Sequence, residues 1–274
     1  MKIALGQIQS SKDFRKNLTI IEDYSQQAAQ AGAQLVVFPE AAMLSFGGSM
    51  YQQVLACHEP WRQELARIAR ETGCNLIAGG FRPEPQTNPS QPRIINSLYL
   101  HTPAGQEYVY DKIHLYDAYG IKESDGVCPG KQLVTVELAG TTLGLTLCYD
   151  VRFGQLYTQL SRAGAEIMIV AASWAAGPGK IGQWQVLTSA RALDSNAFVV
   201  AVDQADPGSV NSSSNNTAPL GVGYSRVVSP FGQTLLELDA QPQLQLIDLD
   251  LDQVRRAAQE LPILAEPERN YQKA

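Results

Sequence analysis

The chain has no Cys-x-x-Cys pair, no long apolar run and no excess of positive charge. Its cysteines, Cys57, Cys74, Cys128 and Cys148, are scattered. That spacing supports neither a zinc site nor a disulfide framework. No window approaches the apolar length that a membrane span needs. The opening run Met1-Lys2-Ile3-Ala4-Leu5-Gly6-Gln7 turns polar too soon for a secretion signal. The expected compartment is a reducing cytoplasm, where a lone thiol stays reactive. A formal net charge of −6 argues against nucleic acid as the main partner, while leaving room for a locally positive pocket. What remains is an ordinary soluble composition, 45% hydrophobic over 274 residues, enough to bury a large core.

Strand and helix patterns alternate along that length, so the class is α/β. Lys2–Ile8 reads as a strand. Asp13 is placed to cap a helix with the stripe Phe14, Leu18, Ile21 and Ala28, ended by Gly32. Gln34–Phe38 is a buried strand broken by Pro39. A helix starts at Pro60 with Trp61, Leu65 and Ile68 on one face and stops at Gly73. Asn75–Ala78 and Ile95–Leu100 are strands flanking the Pro-rich loop Arg82–Pro92; with only a loop between them they can pair antiparallel. Strand Thr141–Cys148 leads to a helix ending near Gly164. Strand Ala165–Ser173, helix Gln183–Asp194, and strands Ala197–Val202, Val222–Val228 and Leu244–Asp250 follow. The two halves echo one another, with strand–Glu40 in the first resembling strand–Cys148 in the second. The echo predicts two similar layers packed face to face. Asp206–Pro219, rich in Ser and Asn, has nothing to bury and reads as a surface loop.

Three reactive groups follow strands or strand-like segments. Glu40 ends the phrase Phe38-Pro39-Glu40. Lys112 lies in Tyr110-Asp111-Lys112-Ile113-His114-Leu115. Cys148 stands at a strand-to-helix corner in Cys148-Tyr149-Asp150-Val151-Arg152-Phe153. In open α/β sheets ligands bind beyond the carboxyl ends of strands. A carboxylate to take a proton, an ammonium to hold an oxyanion and a thiol to form a covalent bond make a sensible set there. Each has a bland reading when taken alone. Glu40 is then a solvated charge, Lys112 a cation beside Asp111, and Cys148 a core residue. His114 reads as a structural histidine and Cys57-His58 as incidental.

These segments, in this order, resemble the three signature segments of the nitrilase superfamily, the carbon–nitrogen hydrolases. The resemblance runs nearly end to end. Lys2–Ile8 is similar to the family's first strand, Trp184–Asp194 to a later helix, and Gly223–Gly232 to its late hairpin. It implies a single domain over 1–274 with a four-layer α-β-β-α sandwich. It also implies Glu40 as general base, Lys112 as oxyanion-stabilising cation and Cys148 as nucleophile, with the Tyr149 backbone N–H completing the oxyanion hole. Glu123, in Lys122-Glu123-Ser124, takes the place of a second glutamate that orients Lys112 or the leaving nitrogen. No metal or organic cofactor is implied. The implied partner is a small-molecule amide, and the implied assembly a homodimer or larger homo-oligomer.

The motifs are most similar to the branch containing omega-amidase and deaminated glutathione amidase. That points to hydrolysis of the terminal amide of a small carboxylate, through a cysteine thioester. The chain departs from the branch at Gly154-Gln155 and at Ala171–Pro178. Phe46, Ser173 and Trp174 are expected in the pocket wall. Arg152 can anchor a carboxylate, but an ion pair with Asp150 is the preferred reading, and Arg191 is expected to pair with Asp194 or a neighbouring strand. The alternatives are another carbon–nitrogen hydrolase (carbamoylase, aliphatic amidase or nitrilase), a silent binding protein on the same fold, and a thiol redox protein. The last lacks a nearby resolving cysteine.

Overall fold

The structure is a computed structural model that describes residues 1–48, 50–85, 88, 90–208 and 219–265. The first half runs β1 (Lys2–Gln7), α1 (Phe14–Gln30), β2 (Leu35–Val37), α2 (Tyr51–Thr72), β3 (Asn75–Pro83), β4 (Ile94–His101) and β5 (Glu107–Asp111). A small hairpin, β6 (Asp117–Ala118) and β7 (Ile121–Lys122), precedes a 3₁₀ turn, Glu123–Asp125, and β8 (Val127–Cys128). The second half runs β9 (Thr135–Leu138), β10 (Thr141–Leu147), a 3₁₀ turn over Cys148–Arg152, α3 (Gly154–Arg162), β11 (Ile167–Ala172), α4 (Lys180–Ser195) and β12 (Phe198–Asp203). It closes with β13 (Arg226–Val228), β14 (Thr234–Glu237), β15 (Gln243–Asp248) and α5 (Asp252–Glu260).

Among the described residues one sheet has the order β15-β1-β2-β3-β4-β5 with β8 added beside β4, and the other has the order β14-β13-β12-β11-β10-β9. The period of two along each strand builds the layers. Ile3 and Leu5 of β1, Leu143 and Leu145 of β10 and Val200 of β12 meet in one cluster between the sheets. Ala4 and Val36 face the other way and pack with α1 and α2 residues such as Ile21 and Trp61. Met168 and Val170 do the same against Leu160 and Trp184 of α3 and α4. The result is the expected α-β-β-α order, with β3 and β4 antiparallel as anticipated.

The echo between the halves is visible in the pairing. β1, β2 and β3 run parallel with helical crossovers, and β10, β11 and β12 do likewise. The correspondence of Glu40 with Cys148 needs correction, however. Glu40 follows the middle strand of its trio, whereas Cys148 follows the first strand of the other. Ser173, after β11, is the topological counterpart of Glu40.

Several boundaries also move. α2 begins at Tyr51, not at Pro60, and Pro60 lies inside it. Proline there forfeits one backbone hydrogen bond. The helix persists because its buried stripe, Val54, Cys57, Trp61, Leu65 and Ile68, continues on both sides of the break. Cys57, read as incidental, is buried in that stripe. The strand expected at Val222–Val228 begins only at Arg226. Of the Asp206–Pro219 loop, residues 209–218 lie outside the described residues.

Candidate active site

Three strand ends and one 3₁₀ turn bring the reactive groups together. β2 ends at Val37, Phe38 still donates to the Ile77 carbonyl at 2.8 Å, and Pro39, having no N–H, cannot extend the ladder. Glu40 follows at once, and Ala41 takes a left-handed φ of 56° to turn the chain. Gly79 makes this corner possible: a Cβ there would sit 2.6 Å from the Glu40 Cα. Cys148 itself adopts φ 44°, opening the 3₁₀ turn after β10. That region is costly for a residue with a Cβ, and it aims the thiol out of the sheet. Lys112 leaves the end of β5, its N–H donating to the Asn96 carbonyl at 2.9 Å. Gly130 lies against this exit, where a Cβ would fall 2.1 Å from the Asp111 carbonyl oxygen.

At the centre the Lys112 ammonium donates to Glu40 Oε1 (3.0 Å) and to both oxygens of Glu123 (3.1 and 2.9 Å). Asn96 Nδ2 bridges the same two carboxylates, at 2.8 Å to Glu40 and 3.2 Å to Glu123. The second Glu40 oxygen accepts from the Ser173 N–H at 2.9 Å. The Tyr116 N–H donates to Glu123 at 2.6 Å. Cys148 Sγ lies 3.8 Å from the Ser173 carbonyl oxygen. Glu40, Lys112 and Cys148 are all buried.

Burial sets the protonation equilibria here. It raises the Glu40 carboxyl above the usual range, Lys112 pulls it back in part, and Glu123 raises it again. Burial lowers Lys112, but Glu123 and Glu40 outweigh it and hold the ammonium well above the ordinary lysine value. Burial and the Glu40 charge push the Cys148 thiol well up, against the pull of Lys112. The Lys112 ammonium is thus held between Glu40 and Glu123, beside the buried thiol.

All four groups line one cavity of about 360 Å³, together with Phe46, Tyr149, Ser173 and Trp174. Phe46, Ser173 and Trp174, expected in the pocket wall, line this cavity. Its wall is pinned from behind: Asp203 accepts from the Trp174 N–H (2.7 Å) and the Val222 N–H (2.8 Å). Burial raises the Asp203 carboxyl to about 7.

One expected contact does not form. Asp150 turns inward and accepts from the Tyr110 hydroxyl (2.7 Å), the His114 N–H (3.0 Å) and the Leu147 N–H (3.0 Å). In a 3₁₀ turn side chains two apart diverge, so Arg152 points elsewhere, toward Gln183 Oε1 at 2.7 Å. Nor does Asp111 partner Lys112. Alternation along β5 sends it to Arg82 at 2.6 Å. Arg191 meets Asp194 at 2.8 Å, as anticipated. His114 is structural, with its Nδ1 2.8 Å from Asp150 and its ring stacked on Phe153. Asn96 and Asp203 were missed: an Asn in a β-prone run and an Asp at a strand end carry no local signature.

Residues 2–259 match the carbon-nitrogen hydrolase family model. The chain is 45% identical to Hydrolase Rv0480c of Mycobacterium tuberculosis, covering 96% of this chain and 94% of that one. It is 31% identical to the deaminated glutathione amidase of Escherichia coli O157:H7, covering 96% of each. A solved amidase from Nesterenkonia sp. superposes with a TM-score of 0.77 at 28% identity, covering 96% of this chain and 95% of the other. With the cavity geometry and a match along nearly its whole length, the chain belongs to the carbon–nitrogen hydrolase family and is a hydrolase of carbon–nitrogen bonds.

Proposed function

We propose that the protein is an amidase that cleaves the terminal amide of a small carboxylate, of the 2-oxoglutaramate or deaminated glutathione type, through a thioester on Cys148. The observation that carries this reading is the Lys112 ammonium, fixed between Glu40 and Glu123 in the cavity that holds the thiol. Glu40 takes the thiol proton and the thiolate attacks the amide carbon. The oxyanion is stabilised by Lys112 and the Tyr149 backbone N–H. Collapse breaks the carbon–nitrogen bond, the proton held by Glu40 passes to nitrogen, and ammonia leaves. Glu40 then deprotonates water, which attacks the thioester. The acid departs and the proton returns to sulfur.

The relatives support the reaction class. One of them is named deaminated glutathione amidase, and a structure of the Nesterenkonia amidase carries acrylamide joined by Michael addition to its active-site cysteine. No helix among the described residues is long and apolar enough to cross a membrane. A single domain over residues 1–274, a homodimer and cytoplasmic residence complete the proposal.

A thioester is open to any strong nucleophile. Hydroxylamine added during turnover of succinamate or 2-oxoglutaramate should divert part of the product to a hydroxamate. Ammonia release without hydroxamate at high hydroxylamine would argue for direct attack by water. Turnover of a nitrile or a carbamoyl-amine, with none of any amide, would move the chain to another branch.

Glu123 holds Lys112 without needing to exchange protons itself. Glu123→Gln keeps the shape and removes the charge. Charge-assisted hydrogen bonds contribute enough that kcat should fall roughly 10- to 100-fold. KM should change much less. A rise in KM at unchanged kcat, read from steady-state kinetics, would give Glu123 a substrate-binding role instead.

A further inference from the structure

The cavity wall holds Lys112, Lys122, Arg152 and Lys180. Two of these cations are matched by acids. Lys112 lies between Glu40 and Glu123, and Lys122 meets Asp125 at 2.9 Å. Among the described residues the other two meet no acid. Arg152 donates to the neutral Gln183 amide and sits over the Trp174 ring at 5.1 Å. Lys180 is only 8% exposed, yet among the described residues its ammonium meets no carboxylate. It is boxed by aromatic faces, 4.0 Å from the Tyr119 ring centre and 5.9 Å from those of Tyr116 and Trp174.

The backbone makes this placement still more positive. Lys180 is the first residue of α4, which has no acidic residue in its first turn and no side-chain cap. A helix N-terminus favours anions and disfavours cations. Burial, and then Arg152, pull Lys180 below the ordinary lysine range. A lysine, an arginine and a helix N-terminus therefore converge on one wall with no counter-charge among the described residues. The indole N–H of Trp174 fixes the site by donating to the Lys180 carbonyl at 3.0 Å.

We propose that Lys180 is the anchor for a carboxylate at the end of the substrate remote from the scissile amide, and so selects anionic over neutral amides. This rests on the amidase reading above. Lys180 and Cys148 line the same cavity, so one small substrate can meet both groups. An incoming carboxylate supplies the missing counter-charge and leaves the aromatic box intact. The competing role is purely structural, with Lys180 holding Tyr119 over the cavity.

The test compares kcat/KM for succinamate with that for butyramide, which carries a methyl group where succinamate has its carboxylate. The wild type should prefer succinamate. In Lys180→Met that preference should fall about 10- to 100-fold, mainly through KM, as expected for loss of a charge-assisted hydrogen bond. Lys180→Arg should recover most of it. An unchanged ratio in Lys180→Met, whether both rates hold or both fall, would overturn the proposal. So would a wild-type ratio near one. Calorimetric titration with succinate provides a readout independent of turnover: binding should weaken by the same factor in Lys180→Met, and equal affinity in both proteins would overturn the anchor. Failure of the amidase reading would appear differently, as no hydrolysis of either amide by the wild type.

Discussion

Cys148→Ala is expected to abolish amide hydrolysis, with a loss on the order of 10⁶-fold in kcat, the scale on which a hydrolase triad fails without its nucleophile. The remaining cysteines cannot substitute. Cys57 and Cys74 belong to the core between the first sheet and its helices. Cys128 lies in β8, and burial pushes its thiol and that of Cys74 up to about 11. The variant should still fold. Alanine at φ 44° bears the same backbone strain as cysteine, and the loss of one buried sulfur costs about 1 kcal/mol. For a chain of this size that is a fall of roughly 2–4 °C in Tm. Ammonia release and thermal unfolding measured on the same preparation check both halves. A folded Cys148→Ala protein with near-wild-type turnover would refute the thioester mechanism.

Lys112→Met should produce the second-largest effect, and it should register in three measurements. Removing an oxyanion donor costs about 10²–10³ in kcat. It also strands Glu40 and Glu123, which share this ammonium. Breaking a buried pair in this way costs roughly 3–5 kcal/mol of stability, so Tm should fall further than in Cys148→Ala. The third consequence is a shift with pH. Burial raises Glu40 and Lys112 opposes that rise, so without the lysine the carboxyl moves higher still. Glu40 must be ionised to accept the thiol proton. The acid limb of the kcat–pH profile should therefore move to higher pH. Preserved kcat with only a raised KM would exclude an oxyanion role for Lys112.

The chemistry was legible because it sits at places where sequence patterns break. An apolar run that ends at Pro39 puts Glu40 at a strand terminus. A β-prone run ending at Cys148 puts the thiol at a corner. Strand periodicity likewise sorts residues onto faces, and it places Ile3, Leu5, Leu143 and Leu145 together between the sheets. Pro60 misled, because a local rule about helix starts was overridden by a buried stripe running from Val54 to Ile68. Asp150 and Arg152 misled for a similar reason. Closeness in sequence suggested a pair, and the 3₁₀ turn sent them apart.

By itself, then, the sequence determined the element order, the faces each strand presents and the reactive groups at strand ends, all of which depend on neighbours a few residues away. Tertiary structure alone decided the charge balance. The Glu40–Lys112 contact joins residues 72 apart, and the Ser173 N–H reaches Glu40 across 133 residues. Asn96 becomes a bridge only once β4 lies beside both. Lys180 comes to lie among aromatic faces, with no acid beside it among the described residues, only when α4 starts against Trp174, Tyr116 and Tyr119. Burial gives these contacts their strength by removing the water that would otherwise screen them, and burial belongs to the packed fold rather than to any short stretch of chain.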